Sequence, residues 1–320
     1  MRVTFLQFLV EQAAIDPNLY LIAGDVGFSV IEEFQRRYPT RYFNAGVAEQ
    51  NMVGVAAGLA MAGKNVYVYT FIPFLTMRAF EQIRVDVCYQ ELPVKLIGVG
   101  GGLSYGGQGA THHSIEDIAL MRSLPTMTVV VPGSTFEVQQ LCPQINVLKK
   151  PVYMRLSNYD QKTVYPSNSV VTLGKAVNII PSSQALIIAT GNALDLAYGV
   201  CNKLRDDGLD IGLVSMPTIK PLDKEFLMQQ QNLRAIFTIE EHSIIGGLGE
   251  AVASLICENY EQKIIFKSFG INDFYFHEAG SRAYLNERAG LSIQNVATEI
   301  LMRINTPAWK LHHVEKHDHI

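Results

Sequence analysis

The sequence predicts an α/β protein: two doubly wound domains with mainly parallel sheets. Three observations predict it. Short apolar runs rich in β-branched residues alternate with helical patterns along the chain. Those runs are almost continuously apolar, as strands are when helices cover both faces of a sheet. The alternation is interrupted once, by the aperiodic stretch NYDQKTVYPSN at 158–168, and then restarts. A chain of 320 residues that is 48% hydrophobic can fill two such cores. We therefore expect a first domain over 1–165, a smaller second domain over 166–305 and a His-rich tail over 306–320.

The opening MRVTFLQFLVEQAAIDP is expected to form an amphipathic helix, because Gln7, Glu11 and Gln12 interrupt its apolar run. No small-residue cleavage site follows, so it does not read as a signal peptide. Strands are expected over 19–23, 66–69, 94–99, 128–131 and 152–156. Between them, helices are expected over 46–61, 78–89, 114–122 and 135–148. In the second of these, Phe80, Ile83 and Val87 fall at i, i+3 and i+7, the spacing of one buried face. In the last, Ser134 and Glu137 fit a capping box. Beyond the interruption, strands are expected over 185–190, 211–215, 235–239 and 264–269, with helices between them. A closing helix over 292–304 carries a clean apolar stripe. The tail KLHHVEKHDHI reads as a chain terminus rather than a metal site, since no structure frames a carboxylate–His pair in it.

A net charge of −4 with no block of basic residues argues against nucleic acid or an anionic membrane as partner. No apolar run approaches the roughly 20 residues that a membrane span needs. Cys88, Cys142, Cys201 and Cys257 lie far apart without CxxC spacing and read as buried, reduced thiols. A soluble, cytoplasmic protein is expected.

In an open parallel sheet, ligands sit beyond the carboxyl ends of the strands. Four loops are expected at that edge: GDVGFS from Gly24, NAGVAEQN from Asn44, TFIPF from Thr70 and GGGLSYGGQGATHHS from Gly100. They offer Glu49, Phe71, Phe74, a glycine-rich loop and the paired His112 and His113. Glu49 stands at the mouth of a helix and the dozen residues after it are almost all small or apolar. Burial there penalises its charged form unless a partner offsets the cost, and that partner is either a protein donor or a ligand. Each feature also has a plainer reading: a carboxylate favoured by a helix N-terminus, core phenylalanines, a capped histidine. The loop lacks both GxxxxGK[ST] and a GxGxxG followed by an acidic residue, so it is a weak nucleotide cradle.

FNAGVAEQNMVGVAAGLAMAGKNVYVYTF, GATHHSIEDIALMRSLPTMTVVVPGS and PVYMRLS resemble the pyrimidine-binding domain of transketolases and their relatives. ALIIATGNALDLA, VSMPTIKPLD and EEHSIIGGLGEAV are similar to the C-terminal domain of the same enzymes. The resemblance covers nearly the whole chain except the tail. Whole transketolases carry a further, N-terminal domain for the diphosphate and metal of thiamine diphosphate, marked by GDG and a later Asn-Asn. Here Gly24-Asp25 is followed by Val26, and no Asn-Asn occurs after it. The resemblance thus implies the second subunit of a split, two-chain transketolase.

It implies more. A glutamate at the position of Glu49 hydrogen-bonds N1′ of the cofactor's aminopyrimidine, so that the 4′ nitrogen can take the proton from C2 of the thiazolium, and the cofactor acts as electron sink. Phe71 and Phe74 match aromatics that pack on the pyrimidine, where stacking adds about 0.5–1.5 kcal/mol beyond burial. Val26 matches an apolar residue that holds the cofactor bent, and Asp25 falls at the cofactor and the subunit interface. His112 matches a histidine that relays a proton to sugar oxygens. Arg155 matches an arginine that grips a sugar phosphate, and Ser29 and Arg2 fall near further phosphate-binding positions. Gln108 stands where many transketolases have an aspartate reading the donor's C2 hydroxyl. Gly100 stands where another histidine contacts phosphate. Both departures change which sugar end is welcome.

The implied activity is transfer of a two-carbon ketol unit from a ketose or ketose phosphate to an aldose. The implied cofactors are thiamine diphosphate and Mg²⁺ or another divalent ion held mainly by the partner. That partner is the N-terminal, diphosphate-binding subunit, in an α2β2 heterotetramer. Rival readings are the β subunit of a 2-oxoacid dehydrogenase, a deoxyxylulose-phosphate-synthase-like enzyme that takes pyruvate and releases CO₂, and a non-catalytic scaffold. A scaffold needs none of Glu49, the two phenylalanines and His112 together. EEHSIIGGLG, with Glu240, Glu241 and His242, reads as a structural turn between strand and helix, or as an interface or regulatory site.

Overall fold

The computed structural model describes residues 1–27, 29–159 and 165–305; the His-rich tail lies outside the described residues. Twelve strands are described: β1 (Leu19–Ala23), β2 (Tyr42–Asn44), β3 (Asn65–Phe71), β4 (Lys95–Val99), β5 (Thr128–Val130), β6 (Val152–Leu156), β7 (Val177–Ile180), β8 (Ala185–Ala189), β9 (Ile211–Ser215), β10 (Thr218–Lys220), β11 (Ala235–Ser243) and β12 (Ile265–Ile271). They form a seven-stranded sheet in the order β10-β5-β6-β4-β3-β1-β2 and a five-stranded sheet in the order β12-β11-β8-β9-β7. Only the edge pairs β10–β5 and β7–β9 are antiparallel. The mainly parallel, two-sheet α/β fold is as expected.

Alternation along each strand feeds two layers of core. In β3, Val66 and Val68 join one cluster with the helix Glu49–Met61, while Tyr67 and Tyr69 join another beneath the helix Arg2–Ile15. The Glu49–Met61 helix buries Met52, Val53, Ala56, Ala57 and Ala60, whose small side chains let it lie close on the sheet. It starts three residues later than expected, because Gly46 turns at φ +67° and Ala48 is not yet helical at φ −139°, ψ 58°. Glu49 is therefore its first residue. The helix expected over 78–89 instead begins at Phe74 and is not regular: π-helical turns at Phe74–Arg78 and Ile83–Cys88 flank Phe80–Gln82. Such bulges recur at functional sites.

Buried polar bonds lock the two sheets' layers together, and here several expectations change. EEHS is not a turn: Glu240, Glu241 and His242 lie within β11 and are fully buried. Glu241 accepts from the Leu103 N–H (2.7 Å), Arg282 Nε (2.8 Å) and Asn286 Nδ2 (2.9 Å). Its approach requires glycine at 102, where φ is +63° and a Cβ would stand 2.3 Å from Glu241 Oε1. His242 Nδ1 donates to the Ser243 carbonyl (2.8 Å) and Nε2 accepts from the Ala119 N–H (3.4 Å). Burial pushes its pKa down to about 4. Burial pushes the Glu240 carboxyl up to about 7, against the pull of the Leu248 and Gly249 N–H groups it accepts. Ser134 caps the helix Thr135–Val147 through the Glu137 N–H, but the Glu137 carboxylate reaches Ser215 Oγ on the second sheet (2.6 Å) and the Gly133 N–H.

Cys88, Cys142 and Cys201 are buried thiols as expected, whereas Cys257 is exposed. No helix among the described residues is long and apolar enough to cross a membrane.

Candidate active site

Phe71 closes β3, and the chain turns through Ile72 and Pro73 into the π-helical turn that carries Phe74. The two rings meet edge to face, with centroids 6.0 Å apart. His112, from the loop after β4, packs against both, 5.6 Å from Phe71 and 5.3 Å from Phe74. Tyr105 completes the cluster, 5.0 Å from Phe71. The half-buried His112 imidazole has its pKa lowered by burial, and its Nδ1 lies 3.0 Å from Thr111 Oγ1. A neutral imidazole beside apolar rings can both give and take a proton. Gln108 is exposed on the same loop.

Glu49 is 1% exposed, and its partner among the described residues is a side chain that sequence reasoning missed. Arg78 Nη1 lies 2.6 Å from Glu49 Oε2, and the Arg78 guanidinium carbon sits 4.7 Å from the centre of the Phe74 ring. No described residue donates a hydrogen bond to the other oxygen, Oε1. A buried carboxylate with one oxygen still open suits a ligand N–H.

Gly100 explains part of the loop's form. Its φ is +90°, and a Cβ there would stand 2.3 Å from the Tyr105 ring. Tyr105 thus fills the space into which a side chain at 100 would project. Arg2 opens the first helix and lies near Tyr69 and Tyr105, whose phenol pKa values burial raises against the pull of the Arg2 charge. Asp25, at φ 55°, bonds Asn44 twice, through its N–H (3.2 Å) and its carboxylate (3.0 Å). With Val26 it lines a small cavity of about 120 Å³ beside Tyr42 and Glu32.

Two residues expected near a sugar phosphate have protein partners in the structure. Arg155 is no rim residue: its guanidinium is 2% exposed, 2.9 Å from Asp117, and donates to the carbonyls of Ser114 (2.7 Å) and Glu241 (3.0 Å). Tyr153 bonds the same Asp117 oxygen (2.6 Å). Nε and Nη2 of Arg155 are thus held by partners from both sheets' layers. Ser29 lines a groove against the first helix together with Glu11, Glu32 and Glu33, and its N–H donates to Glu32 (2.6 Å). Arg37 lines the same groove and pairs with Glu33 (2.9 Å). A separate apolar groove lined by Val85, Cys88 and Tyr89 carries neither carboxylate nor histidine.

The pyrimidine-binding domain family of transketolases matches residues 1–161. The chain belongs to the transketolase family. The transketolase C-terminal domain family matches residues 174–296, so this is a transketolase-type subunit built of those two domains. It is 36% identical over 261 residues to an apulose-4-phosphate transketolase subunit of Phocaeicola vulgatus, covering 81% of this chain and 84% of that one. It is 33% identical over 310 residues to a 6-deoxy-6-sulfo-D-fructose transketolase subunit of Clostridium sp. (strain MSTE9), covering 95% of each. A solved structure of a split gene transketolase, an inactive beta4 tetramer, is 34% identical with a TM-score of 0.84, covering 94% of this chain and 96% of that one.

Proposed function

We propose that this chain is the pyrimidine-binding and C-terminal subunit of a two-chain transketolase that moves a two-carbon ketol unit from a ketose to an aldose. The observation that carries this reading is Glu49: a fully buried carboxylate at a helix start, beside a cluster of aromatic rings, with one oxygen free of described donors. Those residues fit the aminopyrimidine end of thiamine diphosphate, which the family implies. When bound, the cofactor supplies the electron sink for breaking the ketose C2–C3 bond.

In this reading Glu49 Oε1 would accept a hydrogen bond from the pyrimidine. Phe71 and Phe74 would pack on its ring, Val26 would line its place, and Asp25 with Asn44 would shape the adjoining rim. His112 passes protons to and from the sugar oxygens, and the Gln108 amide contacts the donor's hydroxyl end. Arg2 reaches the far end of the sugar. Mg²⁺ and the diphosphate are assigned to the partner subunit. We infer an α2β2 assembly in the cytoplasm, with the pyrimidine-binding domain over 1–165 and the C-terminal domain over 166–305.

The test is a donor screen with this chain and its diphosphate-binding partner. Ketoses, free and phosphorylated, should lose two carbons to an aldose acceptor, and pyruvate should yield no CO₂. Release of CO₂ from pyruvate or another 2-oxoacid, with no ketol transfer, would replace this reading by the deoxyxylulose-phosphate-synthase or dehydrogenase alternative.

A further inference from the structure

Arg78 holds two contacts at once: it bonds Glu49 Oε2 at 2.6 Å and stacks 4.7 Å from the centre of Phe74. These are the two contacts an aminopyrimidine would need from this chain under the function proposed above, on which this inference rests. A guanidinium is flat, carries N–H donors on its edge and offers a face that stacks on aromatic rings. An aminopyrimidine shares those three properties. Arg78 leaves Glu49 Oε1 free, so the two groups compete for the Phe74 ring face rather than for the same carboxylate oxygen.

We propose that Arg78 is a displaceable stand-in for the aminopyrimidine, which keeps Glu49 neutralised and turns outward when the cofactor seats. The burial of the two partners fixes which of them moves. The Arg78 side chain is 43% exposed and the Glu49 side chain 1%. Swinging Arg78 into water leaves its charge solvated, whereas Glu49 is held in the first turn of a helix packed on the sheet. Arg78 closes the π-helical turn Phe74–Arg78, where the backbone departs from regular helix just before Ala79. Displacement reduces the apparent affinity of the cofactor by the fraction of sites in which Arg78 has left. It also makes a site that carries no stray cation-binding carboxylate before assembly.

The test is calorimetric titration of thiamine diphosphate with Mg²⁺ into this chain mixed with its diphosphate-binding partner, using the parent, Arg78→Ala and Arg78→Gln. We expect Arg78→Ala to bind the cofactor at least tenfold more tightly than the parent, with Arg78→Gln between them. Thermal midpoints measured without cofactor should fall in Arg78→Ala and recover when it is added, which also shows that the variant folds. Parent binding with equal or weaker binding by both variants would overturn the proposal while leaving the function standing: Arg78 would then be a fixed support of Glu49. Absence of binding by the parent mixture would overturn both.

Discussion

Replacing Glu49 by alanine is expected to lower kcat of the assembled enzyme by about 10²–10⁴-fold, the range that a positioned proton-transfer group contributes. The fold should be spared, for a reason visible in the structure. The substitution removes a carboxylate that is 1% exposed and releases Arg78, which is 43% exposed and is solvated once freed. No buried charge is left without a partner, so the unfolding midpoint should hold while turnover collapses. Aspartate should fail as well, because the shorter side chain withdraws the carboxylate by one methylene from both Arg78 and the ligand. Steady-state turnover and thermal unfolding of the same preparations decide the matter. Loss of turnover below tenfold would remove Glu49 from the chemistry, and parallel loss of turnover and fold would make it structural.

The second large effect is the opposite in kind. Arg155→Ala should destabilise the chain by about 3–5 kcal/mol, the cost of breaking a buried pair from one side. Asp117, itself 0% exposed, would lose its counter-charge, and the carbonyls of Ser114 and Glu241 would lose their donor. Because the guanidinium bridges groups of both sheets' layers, the loss should be read in denaturant unfolding. KM should change alike for phosphorylated and unphosphorylated sugars. A KM rise confined to phosphorylated sugars, with stability intact, would place Arg155 in the phosphate site.

These two residues also show what the sequence can and cannot reveal. Glu49 is legible because a lone carboxylate at the mouth of a small, apolar helix is a local pattern. Arg155 is not, because its partners Asp117, Ser114 and Glu241 come from distant segments. On β6 the period of two places Arg155 on the same face as Tyr153, and that face meets Asp117 and Ser114 of the first domain as well as Glu241 of the second. Arg78 is hidden by a boundary: a helix begun at 78 makes it an exposed first residue. Beginning at Phe74, the structure sets ring and guanidinium at i, i+4, the spacing at which side chains meet.

The same contrast runs through the fold. The central strands β1, β4, β6, β8 and β9 are continuous buried runs that the apolar pattern places within a residue or so. It misses β2, β7 and β10, since they are edge strands of three or four residues with too little length for a pattern. β10 is the most instructive, because it follows β9 of the second sheet after two residues yet pairs antiparallel with β5 of the first. EEHSIIGGLG misleads for a related reason: three polar residues in a row resemble a turn, yet Glu240, Glu241 and His242 are all satisfied inside the protein.

The central claim is that this chain holds one half of a thiamine diphosphate site and a partner holds the other. The most direct measurement is calorimetric titration of thiamine diphosphate and Mg²⁺ into the chain alone and into its mixture with the diphosphate-binding subunit. Binding confined to the mixture is the predicted result. Tight binding to the chain alone, or none in the mixture, would contradict the account.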